Sequence, residues 1–181
     1  MIKHRTLRLV ISSLVLITTT SYSKNEGYIK YCQQAGGVVE VMTAEFNTAS
    51  GYVEGQSKRF CNFLVNDGFL VIGLETFASK KPSIAATLIK KLNYIADDSL
   101  LWRGNYSNPS HNVCKNLGGS GIGFVASGGF TDRIGESDIC VFGDGSMVSG
   151  WSLIYMANHR KGYDDIKNKI QAQPLPIDIP Q

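Results

Sequence analysis

The most reactive side chains in this sequence belong to four cysteines and three histidines. A cysteine beside His111 or His159 could act as a thiol nucleophile. Cysteines also bind metals, but such sites usually contain a close Cys-x-x-Cys pair, and none occurs here. His111 follows a predicted helix cap and His159 ends a predicted helix, where a cation is favourable. We therefore predict that the cysteines form disulfides and that the histidines are structural.

Paired carboxylates are the second group that could do chemistry. They occur at Asp97-Asp98 and at Asp164-Asp165. A glycosidase needs two carboxylates that face one cleft. Neighbouring acids at the start of a helix more often stabilise its N-terminus, and we assign both pairs that role.

Two further patterns could hold a ligand. Asp132, Glu136 and Asp138 could bind calcium, but their spacing lacks the Asp-x-Asp-x-Asp-Gly order of calcium loops. The segment from Gly121 to Ala126 matches a relaxed dinucleotide fingerprint, yet it follows a predicted helix rather than a strand. We predict no catalytic residue, no cofactor and no metal.

The cysteines lie in two similar stretches of sequence. In each stretch a Gly-Gly pair follows the first cysteine, a Phe lies two residues after the second, and an Asp-Gly pair and a further Gly come next. The first copy has Cys32, Gly36, Gly37, Cys61, Phe63, Asp67, Gly68 and Gly73, and the second has Cys114, Gly118, Gly119, Cys140, Phe142, Asp144, Gly145 and Gly150. This pattern indicates one small module present twice.

Each shared feature has a structural use. A Gly-Gly pair can end a helix in the left-handed conformation, and Asp-Gly between apolar runs favours a hairpin turn. Four cysteines allow three pairings. The repeat favours Cys32–Cys61 and Cys114–Cys140, because each module would then carry the same bridge. Four free thiols or a metal site is the competing interpretation.

The order of apolar patterns is the same in both copies. We predict an α+β fold of two similar small modules, each a short helix, a three-stranded antiparallel meander and a helix. In the first copy the Val- and Thr-rich segment from Val38 to Phe46 is typical of a strand. Pro82 interrupts the following helix, and Ser83 then caps a helix predicted over Ile84–Ile95.

The second copy resembles the bacterial exported family DUF333, whose members carry a hemolysin label. The matching residues are Cys114, Gly118, Gly119, Cys140, Phe142, Asp144, Gly145 and Trp151. The first copy departs from the family pattern, because Leu64-Val65-Asn66 widens the turn and Leu74 replaces the Trp. Further cysteines common in the family are missing from both copies. Counting both copies, the resemblance covers most of residues 28–160; it implies a small exported domain and no particular reaction.

The first 23 residues predict a secretory signal peptide. Lys3, Arg5 and Arg8 precede an apolar run over residues 9–17, and a small-x-small cleavage site ends at Ser23. The apolar run is too short to span a bilayer, and no cysteine near the cleavage site could carry a lipid anchor. We therefore expect an exported protein in the periplasm, at the outer membrane or outside the cell.

Removing the signal peptide changes the charge balance. The full chain has 18 basic and 15 acidic residues, a formal net charge of +3. Three of the basic residues and none of the acidic ones lie in the first 23 positions, which leaves 15 of each. This balance favours neither nucleic-acid binding nor a basic membrane patch.

The predicted domains follow from these patterns. They are the signal peptide over residues 1–23, a first DUF333-like module over 24–96, a linker over 97–109, a second DUF333-like module over 110–172 and an extended Pro-rich tail over 173–181.

The sequence favours a function in binding rather than catalysis. Aromatics in a small domain are more often part of the core, but some could form a binding surface together with the tail. The candidate partner-binding positions are Trp102, Tyr106, Trp151, Leu175, Ile177 and Ile179. We predict a non-enzymatic protein of the cell envelope that binds other envelope proteins, such as an accessory subunit of an outer-membrane secretion-system complex. The alternative is a secreted toxin or hydrolase, as the hemolysin label of the family suggests.

Overall fold

The structure, a computed structural model, describes residues 25–66, 68–126 and 137–180. The predicted signal peptide, Asp67, Asp132 and Glu136 lie outside these residues. The helices are α1 (residues 25–34), α2 (Leu74–Ala78), α3 (Ile84–Lys91), a 3-10 turn (Leu100–Trp102), α4 (Pro109–Asn116), α5 (Gly150–Ala157) and α6 (Tyr163–Lys167). The strands are β1 (Val38–Thr48), β2 (Gly51–Val65), β3 (Gly68–Gly73), β4 (Ser120–Val125), β5 (Ser137–Val141) and β6 (Met147–Ser149).

The six strands form one closed antiparallel barrel in the order β1-β2-β3-β6-β5-β4. The prediction of two separate modules is therefore wrong. A three-stranded meander has two open edges, and an open edge is a liability that pairing removes. Here β1 pairs with β4 and β3 pairs with β6, so each half of the chain covers the edges of the other.

The barrel interior forms the smaller of two apolar cores. Its buried residues are Met42, Ala44, Phe60, Val71, Phe124, Ala126 and Ile139. Phe60 and Phe124 meet edge to face across it, with ring centroids 5.2 Å apart. Since side chains alternate along a strand, the neighbours of these residues point outward, where the helices cover them.

The larger core lies between the outer face of the barrel and the helices. Phe77 of α2 is fully buried there, with its ring 5.2 Å from that of Phe63 and 5.5 Å from that of Tyr31. Helix α3 ends at Lys91, earlier than predicted, and Leu92 continues in an extended conformation. Leu92 and Ile95 nevertheless remain buried in this core.

Strand registers relate the two halves by an internal two-fold axis. Cys61 pairs with Ile72 on β3, and Cys140 pairs with Val148 on β6. Ile72 and Val148 in turn pair with each other. The other joint between the halves pairs Thr43 with Val125, residues that lie the same distance after Cys32 and Cys114. The paired strand positions of the two halves next to these joints are therefore equivalent.

Both predicted bridges are confirmed, and each joins the helix before a meander to its middle strand. Cys32 of α1 bonds to Cys61 of β2. Cys114 of α4 bonds to Cys140 of β5. All four sulfurs are paired.

The Gly-Gly pairs make room for these bridges. Gly36 and Gly118 have φ angles of +92° and +86°, which an L side chain adopts poorly. A Cβ at Gly37 would lie 2.7 Å from Cys61 Sγ, and one at Gly119 would lie 2.5 Å from Cys140 Sγ. The second glycine of each pair thus lets the backbone pass directly over the disulfide.

The β1–β2 hairpin extends well beyond the barrel. Its outer part pairs Phe46 with Val53 and Thr48 with Gly51, with an irregularity in register between Thr43 and Glu45. Phe46 and Val53 are exposed.

Candidate binding groove

An open groove of about 670 Å³ lies beside this hairpin. Its walls are residues 57–59 of β2, residues 73–76 at the start of α2, the connection over 79–83, and the turn over 144–147. Asn25 and Tyr28 of α1 close one side. The volume falls within the range of pockets that bind small molecules or peptide side chains.

The groove forms where β3 leaves the sheet. Phe60 pairs with Gly73, the last residue of β3, and the chain then turns into α2. Among the described strands, none pairs with Gly51–Arg59 of β2 on the edge that faces away from β1. Ser57, Lys58 and Arg59 therefore border the groove in a stretch of β2 that pairs with β1 on one edge and with no described strand on the other.

Asp144, in the turn between β5 and β6, lines the groove and contacts the N-terminus of α3. Its carboxylate accepts hydrogen bonds from the backbone N–H of Ile84 at 2.8 Å and from Ser146 Oγ at 2.6 Å and N at 3.0 Å. The Ser83 hydroxyl caps the same helix by accepting from Ala86 N, and Ser146 Oγ accepts from Ala85 N. The β5–β6 turn of the second half thus anchors α3 of the first.

These contacts set the charge of Asp144. Partial burial acts to raise the pKa of its carboxyl, but the hydrogen bonds from Ser146 and Ile84 together outweigh burial and lower the pKa below its usual 3.8. Asp144 is therefore ionised at neutral pH, and its negative charge is used in capping α3.

The groove carries more positive than negative side chains. Lys58, Arg59 and Lys81 line it together with the acids Glu75 and Asp144. Glu75 takes part in an interaction within the protein. Within the described part of the chain, neither the Arg59 guanidinium nor the Lys81 ammonium makes a hydrogen bond or an ion pair. Both groups are exposed and free to meet an anionic ligand.

At the corresponding place in the second half, α4 and α5 are in close contact. By the two-fold relation, Ser110 and Gly150 occupy the places of Tyr28 and Leu74. A Cβ at Gly150 would lie only 3.0 Å from Ser110 Cβ. The first half has the larger Tyr28 and Leu74 in the wall of the groove.

The charge at this place is also reversed between the halves. Asp138 stands two residues before Cys140, as Arg59 does before Cys61. Its carboxylate accepts a hydrogen bond from Asn108 Nδ2 and lies 3.0 Å from His111 Nε2. That contact with His111 is an electrostatic one, because the buried Nε2 makes no well-aligned hydrogen bond among the described residues. Asp138 is thus satisfied within its half, whereas Arg59 faces the groove.

The predicted partner-binding aromatics lie away from this groove. Trp102 is half-buried, and its Nε1 donates to Ala96 O at 2.8 Å. Tyr106 is exposed and meets His111 edge to face. Trp151 stacks on Tyr155, with ring centroids 5.6 Å apart. Their role in partner binding stays a prediction.

The Pro-rich tail lies along its own chain. The backbone N–H of Leu175 donates to Thr87 Oγ1 at 2.9 Å, and Lys91 Nζ donates to Ile177 O at 2.8 Å. Ile179 packs against the larger core, and Ile177 is exposed. Of the three predicted tail anchors, Ile177 is the most exposed.

The two histidines that the structure describes, His111 and His159, contact polar neighbours rather than sulfur. His159 Nδ1 lies 3.0 Å from Asp164 Oδ2, and its Nε2 lies 2.6 Å from Asn93 Oδ1. His111 faces Asp138, as described above. Within the described residues, no group of three or more His, Cys, Asp or Glu side chains is arranged to hold a metal ion.

The disulfides and the helices bear on where the protein works. Two disulfide bonds indicate an oxidising, exported environment. In the described part of the chain, no helix has both the length and the apolar character needed to cross a membrane.

No family model matches this chain, and no curated protein or solved structure is significantly similar to it. The likeness to DUF333 therefore stays a prediction that rests on the motif residues alone.

Sequence reasoning missed the groove, because its walls come from six separate segments of the chain. One signal was present: the run Glu54-Gly-Gln-Ser-Lys-Arg59, which forms part of β2, is polar and charged. Such a run indicates a strand edge that is left open to solvent.

Proposed function

We propose that this protein is a non-enzymatic binding protein of the bacterial cell envelope, located in the periplasm or at the outer membrane. It would act as an accessory subunit of a larger envelope assembly, such as an outer-membrane secretion-system complex. Two disulfides and the predicted signal peptide support export.

The groove of the first half is the observation that carries this proposal. Because the two halves are related by the two-fold axis, equivalent positions in them can be compared directly. Where the second half packs Ser110 on Gly150 and satisfies Asp138, the first half leaves a groove with Arg59 and Lys81 unpaired. A groove with unpaired cations, at a place where the second half has a close helix contact and a hydrogen-bonded acid, supports binding of a partner there.

Capture of partners from envelope fractions tests the proposal. The bait is the exported protein with both bridges intact, cross-linked before extraction. We expect the wild-type protein to capture the same envelope protein reproducibly, and the double variant Arg59→Glu/Lys81→Glu to lose it. The variant Arg103→Glu changes an exposed arginine outside the groove and should keep it.

Two results would overturn the proposal. One is a protein that stays monomeric and captures no envelope partner under these conditions. The other is a lytic or hydrolytic activity of the pure protein that is lost in His111→Ala or His159→Ala, because such an activity would favour the secreted toxin or hydrolase.

A further inference from the structure

We propose that the groove binds a short, acidic peptide segment in an extended conformation, added as a strand to the free edge of β2. This inference rests on the proposed function and specifies the chemistry of the partner at the same site.

The free edge indicates a peptide ligand. Beyond the Phe60–Gly73 pair, Ser57, Lys58 and Arg59 line the groove, and no described strand pairs with them on the edge of β2 that faces away from β1. A ligand with its own row of N–H and C=O groups can complete this ladder, as an extended peptide does when it adds to a sheet edge. A sugar or an inorganic anion offers no such row.

The length of the added strand is limited by the hairpin itself. Between Thr43 and Glu45 the β1–β2 register shifts, so β2 has one residue more than β1 between the Thr43–Ser57 and Glu45–Glu54 pairs. Such a bulge twists an edge away from further pairing. Regular pairing is thus confined to the few residues from Ser57 to Arg59 that lie inside the groove, which favours a specific short segment over unlimited edge-to-edge association.

The side chains around this edge indicate an acidic sequence. Lys58, Arg59 and Lys81 line the groove. Lys58 Nζ donates a 2.8 Å hydrogen bond to the neutral side chain of Gln56. Of the two acids that line the groove, Asp144 has its carboxylate hydrogen-bonded to Ile84 and Ser146, and Glu75 takes part in an interaction within the protein. Carboxylates on the ligand would therefore find unpaired cations, and charge-assisted hydrogen bonds to them are stronger than neutral ones.

The test is direct binding of synthetic peptides to the exported, oxidised protein, measured by fluorescence polarisation. The first peptide alternates Glu with Val, and the second alternates Lys with Val. A third set repeats the Glu-Val peptide with alternate amide nitrogens methylated, in both phases, which keeps the carboxylates and removes backbone donors. Inorganic phosphate and free glutamate serve as competitors.

We expect the Glu-Val peptide to bind and the Lys-Val peptide not to bind. Methylation in one phase removes neutral backbone hydrogen bonds and should weaken binding by about threefold or more. The protein variant Arg59→Glu/Lys81→Glu removes charge-assisted hydrogen bonds and should weaken binding by about tenfold or more. The variant Arg103→Glu should bind as the wild type does. Circular dichroism and the retention of both bridges establish that each variant is folded.

Three results would overturn the inference. Equal binding of both methylated peptides, or displacement of the Glu-Val peptide by phosphate or glutamate at the peptide's own concentration, would show an anion site without strand addition. Failure of the Glu-Val peptide to bind a protein that still captures its envelope partner would refute the acidic peptide and leave the proposed function standing. If the wild-type protein bound no Glu-Val peptide and also captured no envelope partner, both the acidic peptide and the proposed function would be refuted.

Discussion

The hydroxyl of Ser152 in α5 accepts a hydrogen bond at 3.0 Å from the buried backbone N–H of Val71 in β3. The equivalent contact joins Thr76 Oγ1 of α2 to the N–H of Met147 in β6, also at 3.0 Å. Each helix thus satisfies a backbone donor on the opposite half, next to the Ile72–Val148 pair. These crossed bonds explain how a barrel joint with a single registered pair is held closed.

Removing the Ser152 hydroxyl should therefore weaken the joint. In Ser152→Ala the N–H of Val71 would stay buried without a partner, which costs about 1–3 kcal/mol of unfolding free energy. Denaturant unfolding of the oxidised protein measures this loss. Ser107→Ala, which changes an exposed serine, should leave the midpoint unchanged. An unchanged midpoint for Ser152→Ala would mean that the joint does not depend on this bond.

The two bridges should contribute nearly equally to stability. They span 29 and 26 residues, and loops of this size correspond to about 3–4 kcal/mol in the chain-entropy model. We expect the double variants Cys32→Ala/Cys61→Ala and Cys114→Ala/Cys140→Ala to lose similar amounts in denaturant unfolding. If removal of one bridge left the unfolding free energy unchanged, that bridge would not stabilise the contact between its helix and the sheet.

Local features of this fold could be predicted from the sequence. Both bridges follow from the repeat, and the helix ends at Gly36 and Gly118 follow from the conformational freedom of glycine. These features depend on residues close together in sequence or on the comparison of two copies.

Closure of the barrel could not be predicted in the same way. It depends on which open edges meet, and the edges that pair lie far apart in sequence: Thr43 with Val125 and Ile72 with Val148. Either meander could equally have paired with another chain or been covered by a helix.

The repeat also misaligns the halves by one residue near this joint. The sequence matches Gly73 to Gly150, whereas the strand register matches Gly73, opposite Phe60, to Ser149, opposite Ile139. The position of Trp151 is then taken by Glu75 and not by Leu74. Glu75 lies in the wall of the groove. Because of the one-residue shift, the sequence repeat did not identify Glu75 as the counterpart of Trp151.

The second glycine of each Gly-Gly pair should be intolerant of a side chain. In Gly37→Ala the new Cβ would lie within 3 Å of both sulfurs of its bridge and of Phe63, and overpacking of this kind costs about 1–3 kcal/mol. Gly27→Ala is the matched control, because a Cβ there meets nothing within 4 Å. In the interior of a helix such as α1, alanine is more favourable than glycine by about 0.5–1 kcal/mol.

Thermal unfolding of both glycine variants checks this expectation. The melting temperature should fall for Gly37→Ala and rise slightly for Gly27→Ala. If the melting temperature of Gly37→Ala were equal to or above that of the wild type, the backbone of residue 37 would not be in contact with the disulfide as the structure has it.

Acid should loosen the contact between α3 and the β5–β6 turn. The pKa of Asp144 is lower in the folded protein than its usual 3.8, because hydrogen bonds from Ser146 and Ile84 outweigh the opposing effect of partial burial. The unfolded chain therefore binds the proton more readily, and stability rises with pH across this range. The stabilisation from Asp144 is complete above its unfolded pKa and is lost as the pH falls through the lower, folded one.

Replacing the carboxylate tests this dependence. Asp144→Asn should lower the unfolding free energy at pH 7 and should lose less stability than the wild type when the pH is taken below 3.8. The control Asp165→Asn removes an exposed carboxylate of α6 and should keep the acid dependence of the wild type. Parallel pH profiles for wild type and Asp144→Asn would show that the ionised Asp144 does not hold α3 against the turn, and the groove would then lack the fixed end that this carboxylate provides.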